Sequence, residues 1–371
     1  MNWRGNALKF CNVAGLPIVE PFIRLAAGED VKEQFKSISK FILLPIAAIA
    51  TFLFLWNAAA KTVVTDSMKL PSPSETWSAG TELFAMHQAQ RAADKEQKQE
   101  KITEAIQLIA KANYLTAQAE SADGERQEKL LANALVLKKK AVQAANYRPS
   151  SAPTFVDQIF TSLKTVFVGF VIATLIAVPI GVLCGMNPWC NAALTPFIQV
   201  FKPVSPLAWL PLAFLIIVWA YSGTKPGETF FEKAFLISAV TVSLCSLWPT
   251  LVNTTLGVAS VDKDYMNVAR VLKLSWSQQL FKIILPASLP LMFAGLRISL
   301  GVGWMVLIAA DMLAQNPGLG KFVWDEFQNG SSQTYARIAF SVIIIGVIGL
   351  LLDRVMIFLR NLVSFGNPQA A

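Results

Sequence analysis

The sequence predicts an all-α integral membrane protein, and three observations carry that expectation. Hydrophobic residues make up 54% of the chain and charged residues only 15%. Apolar segments long enough to cross about 30 Å of hydrocarbon recur along it. Between two of them lies a polar stretch, 262–282. Its Asp262, Lys263, Asp264, Arg270, Lys273, Gln278, Gln279 and Lys282 would not be tolerated together inside a span. The net charge of +8 reads as topology. The basic residues cluster in short segments beside the spans, without the interleaved aromatics of a nucleic-acid groove, so no nucleic-acid partner is expected.

Residues 1–40 carry Arg4, Lys9, Arg24, Lys32, Lys36 and Lys40, and by the positive-inside rule they stay in the cytoplasm. They are too long and too charged for a simple cleavable signal, so the first span, 41–60, is expected to be retained. Residues 61–150 read as an extracytoplasmic insertion. Breaker-rich phrases at 70–74 and 149–153 bound a stretch rich in Ala, Gln, Glu and Lys, and Asp123-Gly124 divides it. The expectation is a hairpin of helices at about 75–120 and 125–146. Residues 151–371 then supply five spans, at about 165–186, 203–221, 234–257, 291–314 and 338–359. Counting six crossings from a cytoplasmic N-terminus puts the polar stretch and the C-terminus in the cytoplasm and the hairpin outside.

The polar stretch lies within a connecting loop at 258–290. Val268, Ala269, Val271, Leu272, Trp276, Leu280 and Phe281 are spaced for helical faces, so it reads as two short amphipathic helices that dock a partner. Ser275 with Gln278 three residues on is a capping-box pattern for the second helix, and Leu285-Pro286 is expected to stop it. A connector resting on lipid is the plainer alternative.

Other features are weaker. Gly295, Ser299 and Gly303 form a small-residue stripe, for packing within one subunit, for a dimer interface or for the pathway. Arg297 is expected to snorkel to the headgroups, with a guide for anions as the alternative. Asp311 is placed at the outer interface or in a pair within the bundle. His87, the one histidine, reads as a solvated helix residue. Cys11, Cys184, Cys190 and Cys245 show no paired spacing, so neither a disulfide nor a metal site is expected. Gly320-Lys321 is no phosphate loop, because Gln315 stands where its first Gly belongs and Phe322 where Ser or Thr should hold magnesium. No catalytic set and no cofactor loop is visible. An ion-gradient transporter or channel would need paired acids or an interrupted helix at midplane, of which the spans offer little. A membrane anchor displaying the hairpin would leave the spans and the polar knob idle.

The knob also carries a resemblance. Residues 267–275 (Asn-Val-Ala-Arg-Val-Leu-Lys-Leu-Ser), with Ile284-Leu285-Pro286 and Leu289-Pro290, resemble the "EAA" loop of permease subunits of binding-protein-dependent ABC importers. The phrases at 205–212, 295–297, 309–312 and 316–320, and Leu-Pro-Ser-Pro-Ser at 70–74, resemble the branch importing nitrate, sulfonates and taurine. Residues 271–275 and 324–329 look most like nitrate-type permeases, whose relatives carry bicarbonate or cyanate.

The resemblance implies a six-helix type I ABC importer permease fold with an inserted periplasmic hairpin. It implies a homodimer in a bacterial inner membrane, with ATP-binding cassette subunits that carry ATP and magnesium, and a periplasmic substrate-binding protein. It assigns ATPase coupling to Asn267, Ala269, Arg270, Leu272, Lys273, Leu274, Ser275 and Trp276. This chain departs from the family at Asn267, where Glu is usual, and at Lys273, where Gly is usual. Gly there would adopt a left-handed turn freely, whereas Lys does so at a cost of roughly 1–2 kcal/mol or takes a different turn. Compact members have only a short segment in place of the hairpin, which is either a spacer or a contact with the binding protein.

Overall fold

The computed structural model describes residues 20–26, 31–63, 69–223 and 232–363. Arg4, Lys9 and Cys11 lie outside the described residues. Helices α1 (Glu20–Ala26) and α2 (Val31–Ile38) precede a π-helical turn at Ser39–Leu43, which leads into α3 (Leu44–Thr62). Together α2 and α3 form the first candidate span. The indole of Trp56 donates to the Pro71 carbonyl at 3.0 Å.

The expected hairpin is present as α4 (Pro73–Glu120) and α5 (Glu125–Ala145), turning at Gly124 with φ of 58°. Ala105, Ala112 and Ala119 are buried at seven-residue spacing, as are Ala134 and Ala141. Small residues repeated at that interval let paired helices approach closely. Residues 80–157 form one compact unit, and the described residues of 1–79 and 158–371 form another.

Within the second unit, α6 (Phe155–Met186) runs ten residues further upstream than the expected span. Next come α7 (Pro188–Phe201) and α8 (Pro206–Ala220), which meet at 107°. Sequence reading missed α7 and drew one span over 203–221. The described helix α8 has only 15 residues, about 22 Å, which falls short of a membrane on its own. The bend has a local cause. Lys202-Pro203-Val204 cannot continue a helix, and Ser205 restarts one by accepting from the Leu207 N–H at 3.3 Å ahead of Pro206. Phe201 stacks on Trp248 at 6.2 Å and meets Trp209 at a tilt at 5.6 Å, closing the corner.

The core helix is α9 (Lys233–Ala259), packed along α12 (Leu285–Ala314). Three of its buried hydroxyls bond back to their own helix, Thr241 to Ile237, Ser246 to Val242 and Thr255 to Leu251 at 2.7–2.9 Å. That satisfies them without a partner and lets a Ser/Thr-rich helix sit at the centre. Between α9 and α12 come α10 (Lys263–Val271) and α11 (Trp276–Gln279). The chain closes with α13 (Leu319–Asn329) and α14 (Ser332–Val363). Among the described residues five helices are long and apolar enough to span a membrane, and six if the bent pair α7–α8 counts as one span.

Candidate functional site

The knob is built at its first helix much as the sequence suggests. Asp262 caps α10, its carboxylate accepting from the Asp264 N–H at 3.0 Å. The far end closes in a Schellman arrangement: the Lys273 N–H donates to the Arg270 carbonyl and the Leu274 N–H to the Ala269 carbonyl, both at 3.0 Å. Lys273 takes the left-handed position, with φ of 49°, where family members usually have Gly. The capping box follows, with the Ser275 N–H donating to the Gln278 side-chain oxygen at 3.0 Å.

The second helix differs from expectation. Rather than a separate short element, α11 passes through a π-turn at Leu280–Ile284 straight into α12, giving one helix over Trp276–Ala314. Leu285 and Pro286 therefore do not terminate it. The Leu285 N–H reaches back five residues to Leu280, and this wider turn makes room for the Pro286 ring, which has no N–H to lose.

Of the eight residues assigned to coupling, Asn267, Arg270, Leu272, Lys273, Ser275 and Trp276 are exposed. Ala269 is fully buried and Leu274 partly, so these two anchor the knob rather than present it. Val271, Leu272 and Trp276 are 81%, 63% and 59% exposed, an apolar crest that none of the described residues covers. Beneath, Met266 and Leu280 pack on a cluster of Val182, Val258 and Ile284, from α6, α9 and the π-turn. The knob thus rests on three long helices at once.

The stripe on α12 faces inward. A Cβ on Gly295 would lie 2.6 Å from Asn253 Cβ and 3.0 Å from the Pro249 carbonyl. Ser299 donates to the Ser246 carbonyl at 2.5 Å and accepts from the Thr250 N–H at 3.0 Å, and Gly303 lies against Val242. These residues pack α12 on α9 within one chain, the first of the alternatives the sequence offered for the stripe. Arg297 does not snorkel alone: it forms an ion pair with Asp353 of α14, with Nη2 to Oδ2 at 2.9 Å.

Sequence reasoning missed a buried polar clasp. Asp311 is fully buried and accepts from Ser162 Oγ and Asn316 Nδ2, both at 2.7 Å. Ser162 in turn accepts from the Leu319 N–H at 2.8 Å, and Asn316 also donates to Thr165 at 3.1 Å. One carboxylate thus ties α6, the end of α12 and the start of α13, placing Asp311 within the bundle. His87 is also not simply solvated. Its Nδ1 lies 2.6 Å from Thr154 Oγ1, and Thr154 with Asp157 forms a capping-box pair at the start of α6, joined by Arg91. The spacing Thr154-x-x-Asp157 was a readable signal for that helix start. Cys184 and Cys190 are free thiols with sulfurs 3.6 Å apart. Among the described residues no group of three or more His, Cys, Asp or Glu could hold a metal.

Residues 177–364 match the family described as "Binding-protein-dependent transport system inner membrane component". Among curated relatives, the nitrate import permease protein NrtB of Synechocystis sp. is 40% identical over 206 residues, 56% of this chain and 69% of the relative. The bicarbonate transport system permease protein CmpB of Synechococcus elongatus is 39% identical over 206 residues, 55% of this chain and 68% of the relative. Inward-facing MetNI methionine ABC transporter is similar at 15% identity and a TM-score of 0.46, covering 56% of this chain and 95% of that one.

Proposed function

We propose that this chain, which belongs to the family of binding-protein-dependent transport system inner membrane components, is the permease of an ATP-driven importer for a small inorganic anion. Nitrate is the first candidate, with nitrite, cyanate or bicarbonate next and sulfonates such as taurine after them. The names of the relatives, nitrate import and bicarbonate transport permeases, support that order. The chain itself is not an enzyme, and ATP is hydrolysed on a partner subunit. ATP and magnesium are held there.

The observation that carries the mechanism is the uncovered crest of Val271, Leu272 and Trp276 seated on α6, α9 and α12. We place an ATP-binding cassette subunit on that crest, with Asn267, Arg270, Lys273 and Ser275 at its polar rim. Two copies of the permease present two crests to two such subunits. Closure of the ATPases on ATP favours one arrangement of the bundles over the other, which is alternating access driven by a partner's differential affinity. Residues 1–40 and the C-terminus lie in the cytoplasm in this arrangement, and the hairpin within 61–150 lies in the periplasm beside a substrate-binding protein. The core 151–371 carries the pathway.

Substrate choice is tested in inside-out-controlled vesicles holding this chain with its ATP-binding and substrate-binding subunits. The expected result is ATP-dependent uptake of labelled nitrate that excess taurine does not compete. ATP-dependent uptake of labelled taurine with no uptake of nitrate moves the assignment to sulfonates.

A further inference from the structure

The transport reading leaves one pair of reactive side chains without a role. Cys184, near the end of α6, is 2% exposed, while Cys190, on the first turn of α7, is half-buried. Both are free thiols and their sulfurs are 3.6 Å apart, in van der Waals contact. The approach has a local cause. Asn187 ends α6 by donating to the Leu183 carbonyl and starts α7 by accepting from the Trp189 N–H at 3.0 Å. The chain redirects at that residue and Cys190 swings back onto Cys184. Val182, two residues before Cys184 and on another face of α6, belongs to the cluster on which Met186, Met266 and Leu280 pack. The thiol pair sits at the break between α6 and α7, at the end of the helix that carries part of the knob's seat.

We propose that Cys184 and Cys190 are a redox-modification site, where hydrogen peroxide converts the thiol pair into an intrachain disulfide. The Cys190 sulfur, the one with access to solvent, attacks as thiolate on a peroxide oxygen. The O–O bond breaks, a hydroxide leaves and takes up a proton as water, and Cys190 becomes a sulfenic acid. The Cys184 sulfur then attacks the Cys190 sulfur, the S–O bond breaks, and the departing hydroxide takes the Cys184 proton as a second water. Two thiols lose two electrons and the peroxide gains them, and a dithiol reductant reverses the change. The product pins the first turn of α7 to α6, so the corner leading through the 107° bend into α8 no longer moves freely against α6, the helix that carries Val182 of the knob's seat. The consequence for uptake rests on the coupled-permease reading, whereas formation of the disulfide does not.

The test uses the complete transporter in proteoliposomes, treated with hydrogen peroxide and then analysed by peptide mass spectrometry and by nitrate uptake. A linked peptide joining Cys184 to Cys190, two hydrogens lighter than the thiol pair, is expected, with a several-fold fall in uptake that dithiothreitol restores. Cys190→Ser should lose the linked peptide and keep its uptake under peroxide, while Cys245→Ser behaves as the unsubstituted protein. Absence of the linked peptide overturns the proposal, and so does a Cys190→Ser variant as sensitive as the unsubstituted protein. If untreated vesicles take up no nitrate, the substrate reading fails, and the linked peptide alone decides whether the site exists.

Discussion

At the scale of the residue, Lys273 is the clearest case of sequence and structure meeting. A family position usually held by Gly carries Lys, and the backbone there is left-handed all the same. Replacing Lys273 with Gly should therefore stabilise the knob by about 1 kcal/mol, read as a raised midpoint in denaturant unfolding of the purified permease. A lowered midpoint would mean that the lysine side chain makes a contact worth more than the strain. Glu75 is a second case. Its hydrogen bond from Lys69, and then those from the Ser72 N–H and hydroxyl, lower its pKa from 4.5 to about 2. A depressed carboxylate contributes its stability above the unfolded value and loses it as pH falls through the folded one. The start of α4 should thus hold to pH below 4 and loosen toward pH 2. A carboxyl NMR titration of Glu75 with its midpoint at the ordinary value would contradict this. Asp311 was less legible. The sequence shows an acid in an apolar run, but its hydroxyl donor Ser162 lies 149 residues away and looks like any other serine.

At the scale of the element, periodicity was sufficient for the hairpin and for the long apolar helices, because their signals are local. The corner at α7–α8 and the run through Pro286 were not readable, for opposite reasons. Pro203 really does accompany a break, whereas Pro286 follows a π-turn that absorbs it, and a proline looks the same in both settings. The start of α13 depends on close approach. A Cβ on Gly318 would fall 2.1 Å from Asp311 Oδ2, while one on Gly301 would meet open space. Gly318→Ala should then cost about 3 kcal/mol, the upper end for forced overpacking, and Gly301→Ala almost nothing. Thermal unfolding in detergent compares the two, and equal midpoints would show that the clasp yields.

At the scale of the whole molecule, composition alone pointed to a membrane protein, and the family phrases pointed to a permease. The inward direction of the Gly295, Ser299 and Gly303 stripe needed the partner helix α9, which no spacing on α12 reveals. The hairpin is a compact unit of its own at 80–157. Deleting 75–147 should leave measurable ATP-dependent uptake if the spans and knob are the working parts. Total loss from a variant that still assembles would assign the hairpin an essential part in transport.

The measurement that bears most directly on the coupling account is paired uptake and ATP hydrolysis in reconstituted complexes carrying Trp276→Asp or Arg270→Asp. Both side chains are exposed on the knob, so membrane insertion should persist. The account predicts that ATP hydrolysis continues while nitrate uptake falls by at least about tenfold, a loss of roughly 1.4 kcal/mol in coupling. Uptake and hydrolysis that both remain at the level of the unsubstituted complex would contradict it.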